Sequence, residues 1–138
     1  MTDKRFQAQM KEVINRNLLV SELIRLGYNA YLPVYDRGVD LIAYRNDGAS
    51  IVPIQLKGRW MIDKKYIAQN VWMAFPEDGD WYLAPHDDMV RIGEEMGYCA
   101  TPSWNDGGAY SCPSFSKKLS LAMASWRLCS AHSVAIES

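Results

Sequence analysis

Val39-Asp40-Leu41-Ile42-Ala43-Tyr44, then Arg45-Asn46-Asp47-Gly48, then Ile51-Val52-Pro53-Ile54-Gln55-Leu56-Lys57-Gly58, is the stretch that decides the fold of this 138-residue chain. Two β-rich apolar runs flank Asp47-Gly48, a dipeptide suited to a two-residue hairpin turn, because both central positions of that turn need φ > 0. With that turn, Asn46 pairs with Ala49, and counting back along both strands sets Asp40 opposite Gln55. Directly opposed side chains share a face, with Cβ atoms about 4.5 to 5.5 Å apart. Strand side chains alternate with period 2, so Gln55 and Lys57 share that face while Ile54 and Leu56 turn to the other. One face thus carries Asp40, Gln55 and Lys57, and the other a hydrophobic layer. A three-residue loop, or a bulge at Pro53, slips this register by one and undoes the pairing.

Reading outward, residues 3–26 predict a long helix ended by Gly27. Residues 28–35 alternate as a strand that leads into the hairpin. After it comes a loop or short irregular segment through Asp63 and Lys65. Residues 69–75 and 81–84 predict two more strands joined by a turn at Pro76-Glu77-Asp78-Gly79-Asp80. Asp87 or Asp88 begins a helix that ends at Gly97. Pro102, Gly107, Gly108 and Pro113 make residues 100–114 a long loop, with a short β-excursion at Ala109-Tyr110-Ser111. Residues 115–130 predict a last helix, capped by Ser114 or Ser116. One helix, a β-meander of about five strands and then further helices amount to an α+β or mixed α/β fold, a central mixed sheet of about five strands flanked by helices.

The length suits a single domain over residues 1–138, with a core that needs no disulfide or metal to hold it. Apolar residues make up 49% and charged ones 22%, a globular balance that argues against disorder. Met1-Thr2-Asp3-Lys4-Arg5 leads into an amphipathic helix, which excludes a signal peptide or membrane span and predicts a cytoplasmic protein. Cys99, Cys112 and Cys129 are odd in number and widely spaced, so they read as buried or half-buried thiols and not as a disulfide or zinc framework. His132 lies far from the other histidine, and His86 belongs to the entry of its helix more than to catalysis. The five Trp and eight Tyr exceed what one core needs. Packing is the ordinary use of any one of them, and base stacking or a dimer interface draws on the same large rigid surface.

In the hairpin, Val39-Asp40 and Gln55-Leu56-Lys57 stand in the order and context of the two half-motifs of the PD-(D/E)XK nuclease superfamily, which the chain resembles over residues 8–58. The resemblance implies a restriction-endonuclease-like core similar to that of Holliday junction resolvases, and hydrolysis of phosphodiester bonds in DNA. It implies a Mg²⁺ (or Mn²⁺) cofactor held by Asp40, the Gln55 side-chain oxygen and the Leu56 carbonyl, since this hard ion takes oxygen ligands and keeps several waters. Lys57 holds the attacking water or stabilises charge at phosphorus. Gln55 departs from the family's usual carboxylate, which bears on metal affinity more than on fold. Many such nucleases also use a Glu on the first helix. Glu12 is favoured over Glu22, because it continues the stripe Leu19, Leu23, Leu26 that packs on the sheet.

Each residue also has a plain structural use: Asp40 as a turn residue after Gly38, Lys57 as a charge on a strand end, Glu12 as an exposed helix residue. Their combination favours the nuclease. A net charge of −1 speaks against a general nucleic-acid binder, but distribution matters more than the sum. Lys57, Arg59, Lys64 and Lys65 cluster after the motif as candidate DNA contacts. Lys4, Arg5, Lys11 and Arg16 line the first helix, whereas Glu77, Asp78, Asp80, Asp87, Asp88, Glu94 and Glu95 gather elsewhere. The expected partners are DNA and, by resemblance, a second copy of the chain in a homodimer. The competing class is a catalytically inactive nucleic-acid or protein binding module of the same fold.

Overall fold

The computed structural model describes residues 3–45, 47 and 50–128. Helix α1 (Lys4–Arg25) starts where the Asp3 carboxylate accepts the Arg5 N–H at 3.0 Å, satisfying a backbone donor that the first turn leaves unpaired. It ends before Gly27, whose φ of +92° suits a residue without a Cβ. Residues 3–14 of this segment are exposed, and burial begins further on, at Leu19 and Leu23. The helix is thus anchored by its second half, while its exposed first half forms one wall of a cleft.

Strands β1 (Tyr28–Tyr31), β2 (Leu41–Arg45), β3 (Ile51–Leu56), β5 (Trp72–Glu77) and β6 (Asp80–Pro85) form one sheet in the order β1-β2-β3-β5-β6. Between β3 and β5 the chain makes β4 (Trp60–Asp63) and a 3-10 turn (Lys64–Tyr66). Because of this excursion β5 returns parallel to β3, while the other neighbours are antiparallel. The sheet is mixed, as expected, but it is not the simple meander. The expected irregular segment through Asp63 and Lys65 is in part a strand: β4 pairs with β7 (Ala109–Cys112), Trp60 opposite Cys112, in a second, two-stranded sheet.

Several boundaries also move. The first strand stops at Tyr31, ahead of Pro33, which has no N–H to give a ladder. The five-residue turn expected at Pro76–Asp80 is a two-residue one. Asp78 and Gly79 hold φ of 49° and 82°, and the strands run on to pair Glu77 with Asp80. Helix α2 (His86–Glu95) begins one or two residues earlier than expected, and Gly97 follows it in the left-handed region. The loop 100–114 contains a short helix α3 (Pro102–Asn105) as well as β7. The last helix, α4 (Lys117–Met123), is capped by Ser116, whose hydroxyl accepts the Leu119 N–H at 3.1 Å, and it passes into a 3-10 turn at Ala124–Trp126. Cys129, His132 and the end of the expected helix lie outside the described residues.

Two hydrophobic clusters cover opposite faces of the sheet. Leu19, Leu23, Leu41, Ile54 and Leu83 belong to the α1 side, and Trp60, Ile62, Met73, Phe75 and Met89 to the α2 side. Period-2 alternation in β5 and β6 divides them: Ala74 and Leu83 face one cluster, Met73, Phe75 and Ala84 the other. Helix α2 lies so close to β4 that a Cβ on Gly93 would sit 2.9 Å from Ile62 Cδ1. Two cores explain the aromatic count. Trp60, Trp81 and Trp104 are buried in them, and Trp72 and Trp126 pack edge to face on each other at 6.0 Å.

Candidate functional site

The β2–β3 register is the one the sequence predicts: Tyr44 faces Ile51, Ala43 faces Val52 and Leu41 faces Ile54. The Arg45 N–H donates to the Ser50 carbonyl at 3.0 Å, so the same register continues toward the turn. Asn46, Gly48 and Ala49 of that turn lie outside the described residues. Asp40, next along from Leu41, has left the ladder. Its N–H donates to the Ile54 carbonyl at 2.8 Å, and its Oδ2 accepts the Leu56 N–H at 2.7 Å. Asp40 thus grips the backbone on both sides of Gln55, which fixes its carboxylate beside that residue.

The connection that delivers Asp40 is itself held by a carboxylate. Asp36 Oδ1 accepts the Gly38 N–H at 2.8 Å, and Gly38 has φ of +93°, a conformation that a side chain would strain. The turn leaves Asp36 lining the same cleft as Asp40. Burial raises the Asp40 pKa above its ordinary value, the bond from the Leu56 N–H lowers it, and the Asp36 side chain raises it through a hydrogen bond and through like charge, with Lys57 pulling it down. Asp36 is exposed and Asp40 half-buried, and two carboxylates facing one cleft favour a shared proton or a cation there.

Asp36, Asp40, Gln55, Leu56 and Lys57 line one cleft of about 670 Å³, whose other wall is α1, with Glu12 and Arg16. The four residues singled out for catalysis, Asp40, Gln55, Lys57 and Glu12, therefore meet at one cavity. Glu22 does not: it pairs with Arg25 at 2.6 Å on the helix surface. The side chain of Gln55 is only 9% exposed, and its Oε1 is buried with no hydrogen-bond partner. Lys57 is held in the ladder by its N–H to the Ala74 carbonyl at 2.9 Å, and its Nζ lies 5.7 Å from the centre of the Tyr66 ring.

A second cleft of about 460 Å³ adjoins the first, sharing Lys11, Lys57 and Gly58 and adding Arg59. Of the basic cluster expected after the motif, Lys57 and Arg59 come together here. Lys65 reaches the other contact of this group, 5.1 Å from the centre of the Tyr66 ring and 3.9 Å from Asp63. Lys64 lies 5.5 Å from the centre of the Trp104 ring. Sequence reasoning missed Lys11, Arg16 and Asp36 as site residues. A signal for the helix pair was present: Ala8, Glu12, Asn15 and Arg16 recur at helical spacing on the stripe that becomes Leu19 and Leu23, polar over the cleft and apolar over the sheet.

His86 plays the structural part expected of it. It is buried as the first residue of α2, its Nε2 accepts the Asp63 N–H at 3.0 Å, and its ring packs edge to face on Tyr66. Burial holds its pKa below the ordinary histidine value, against Asp87 and Asp63, which act to raise it. Cys112 is buried and Cys99 half-buried, both as free thiols.

Among the described residues no three acidic, His or Cys side chains form a ready-made metal centre. The oxygens at the cleft nevertheless suit a hard divalent ion, which needs few protein ligands because it keeps its own waters. The buried, unpartnered Gln55 Oε1 is the observation that favours one, since a buried carbonyl oxygen without a partner is costly unless something satisfies it.

No protein-family model matches the chain, and no curated protein matches it. Among solved structures, it is similar to the bacterial homing endonuclease I-Ssp6803I, with TM-score 0.46 and 16% identity over 65% of this chain and 70% of that one. It is also similar to Hjc of Archaeoglobus fulgidus, a Holliday junction resolvase from an archaeal hyperthermophile, with TM-score 0.43 and 15% identity over 56% of this chain and 75% of that one. A likeness at this level concerns the course of the chain and carries no statement about a reaction. The α+β arrangement, with its five-stranded mixed sheet flanked by helices, is consistent with a restriction-endonuclease-like fold. None of the helices among the described residues is long and apolar enough to cross a membrane.

Proposed function

We propose that this chain is a metal-dependent endonuclease that hydrolyses phosphodiester bonds in DNA. The observation that carries the reading is the convergence of Asp40, Gln55, Lys57 and Glu12 on one cleft, from α1, the start of β2 and the end of β3, in the order the nuclease motif has. Asp40, the Gln55 amide oxygen and the Leu56 carbonyl are the residues that would hold Mg²⁺ or Mn²⁺. Such an ion, when bound, offsets charge building on the phosphate and makes a bound water more acidic. Lys57 orients the attacking water and stabilises charge at phosphorus, its ammonium set back on the Tyr66 ring. Glu12 faces these groups from α1 and positions water from the opposite wall. Lys57 and Arg59, with Lys64 and Lys65 further along, hold the phosphates on either side of the bond that is cut.

Two copies act together in this reading, since a duplex has two strands to cut. The first half of α1 offers the surface for it: Phe6, Met10, Ile14 and Leu18 recur every fourth residue, all exposed, with Val13 beside them. An exposed apolar stripe of that kind on a helix seeks a partner helix. The reading also assigns the protein to the cytoplasm, where the thiols of Cys99 and Cys112 stay reduced.

Cleavage of linear, supercoiled, single-stranded and branched DNA with Mg²⁺ or Mn²⁺ tests the proposal. Wild type should cut, and Asp40→Ala and Lys57→Ala should each lose about a hundredfold or more in rate. Cutting that survives both substitutions points to another centre. No cutting of any substrate, together with retained DNA affinity, favours the inactive binding module.

A further inference from the structure

We propose that Asp36 is the second carboxylate ligand of the divalent cation, supplying from the β1–β2 connection the negative charge that Gln55 does not bring. The inference rests on the nuclease reading above and deepens it. Asp36 lines the same cleft as Asp40 and Gln55. Its carboxylate is not loose, because Oδ1 accepts the Gly38 N–H at 2.8 Å and the left-handed φ of Gly38 shapes that turn. Asp36 is exposed and Asp40 half-buried, and both carboxylates line the one cleft, so like charges face a common space that a cation can occupy. The Gln55 side chain stands in the same cleft, 9% exposed, and its Oε1 has no partner.

Charge counting strengthens the case. Asp40 with two neutral oxygens, Gln55 Oε1 and the Leu56 carbonyl, leaves a doubly charged ion half neutralised. Adding Asp36 balances it and keeps the ligand set all oxygen, which is what Mg²⁺ and Mn²⁺ prefer over softer donors. Glu12 is less well placed for this part, since it sits on the exposed half of α1 across the cleft, whereas Asp36 lines the cleft from the same connection that carries Asp40. In this chain the acid missing from the lysine-bearing strand has been replaced from the loop that carries the first acid.

The plain alternative is that Asp36 only makes its turn with Gly38, and Asp36→Asn separates the two uses. The amide oxygen of Asn keeps the Gly38 contact, and only the charge is lost. Titration of the full chain with MnCl₂, followed by calorimetry and by melting temperature without DNA, is the experiment. Wild type should bind Mn²⁺ and melt higher with it. Asp36→Asn should melt no lower than wild type without metal, yet bind Mn²⁺ about tenfold or more weakly. Asp36→Ser, which also keeps a turn-accepting oxygen without charge, should repeat that loss. If both variants bind Mn²⁺ as wild type does while Asp40→Asn does not, Asp36 is a turn residue and the nuclease reading stands without it. If wild type itself neither binds Mn²⁺ nor cuts DNA, both proposals fall.

Discussion

Gln55 and His86 are the two polar side chains among the described residues that the fold buries, and the regions around them are built differently. His86, at the start of α2, lies against Tyr66 and takes up the Asp63 N–H through Nε2, so its burial knits β4 to α2. Gln55, at the end of β3, leaves its Oε1 without a partner and shares a cleft with two acids and a lysine. His86 Nδ1 is also buried without a hydrogen-bond partner, so an orphaned atom does not by itself separate the two regions. What separates them is that the orphaned Gln55 oxygen stands at a cleft lined by titratable groups, where a ligand can satisfy it, whereas His86 is enclosed in the core. On the nuclease reading the α2 side of the molecule is the scaffold, and the hairpin end is the site.

The comparison breaks most visibly in activity. Asp40→Ala and Lys57→Ala should cost about 10² or more in cleavage rate with little loss of fold, measured by turnover at equal folded concentration. His86→Ala should do the reverse. It removes a buried ring and leaves the Asp63 N–H unpaired, at a cost of about 2–4 kcal/mol in denaturant titration, with cleavage per folded molecule unchanged. A large activity loss in His86→Ala would erase the division between scaffold and site.

A smaller effect is expected at Gln55. Gln55→Met removes the orphaned oxygen and should raise metal-free stability by about 1 kcal/mol while shrinking the rise in melting temperature on adding Mn²⁺. Loss of stability without metal would mean that the Gln55 side chain is a structural group like His86. Arg59→Ala should weaken DNA binding and reduce by about 1 the slope of log affinity against log salt. An unchanged slope would remove Arg59 from the interface.

The smallest effect, in pH dependence, has opposite signs in the two regions. His86 has a folded pKa below its usual 6.5, so its contribution to stability is present above pH 6.5 and is lost as pH falls from there through the folded value. Asp40 has a folded pKa above 3.8. Its contribution is fully present below pH 3.8 and is lost as pH rises through the folded value. Melting temperature should therefore decline on acidification below about pH 6.5 in wild type and flatten in His86→Gln. At neutral pH without metal, Asp40→Asn should melt at or above the wild-type temperature, because it removes a half-buried charge that Asp36 opposes.

Much of the site was legible because its rules are local. The Asp47-Gly48 signal and the period-2 alternation led to the observed register, with Leu41 opposite Ile54. The stripe through Leu19 and Leu23 likewise predicts which Glu of α1 reaches the cleft. The same dipeptide logic applies at Asp78-Gly79, where the two-residue turn was hidden inside a run with Pro76 that reads as a longer loop. The β4–β7 pair was not legible. Trp60 and Cys112 are far apart in sequence, and neither run is long or regular enough to declare a strand until the other supplies its hydrogen bonds. Asp36 was missed for a related reason: its approach to Asp40 depends on the backbone shape at Gly38, which spacing alone does not convey.

By itself, the sequence determined the long first helix, the two strands of the hairpin and their register, and with them the placing of Asp40, Gln55 and Lys57 at one end of that hairpin. These follow from periodicities and turn preferences that act over a few residues. Only the tertiary structure decided that β5 returns parallel to β3, that two cores absorb the five Trp, and that Asp36, Lys11 and Arg16 join the cleft. Those outcomes depend on which distant surfaces exclude water together and on where a loop can close, and such choices are made by the whole chain at once.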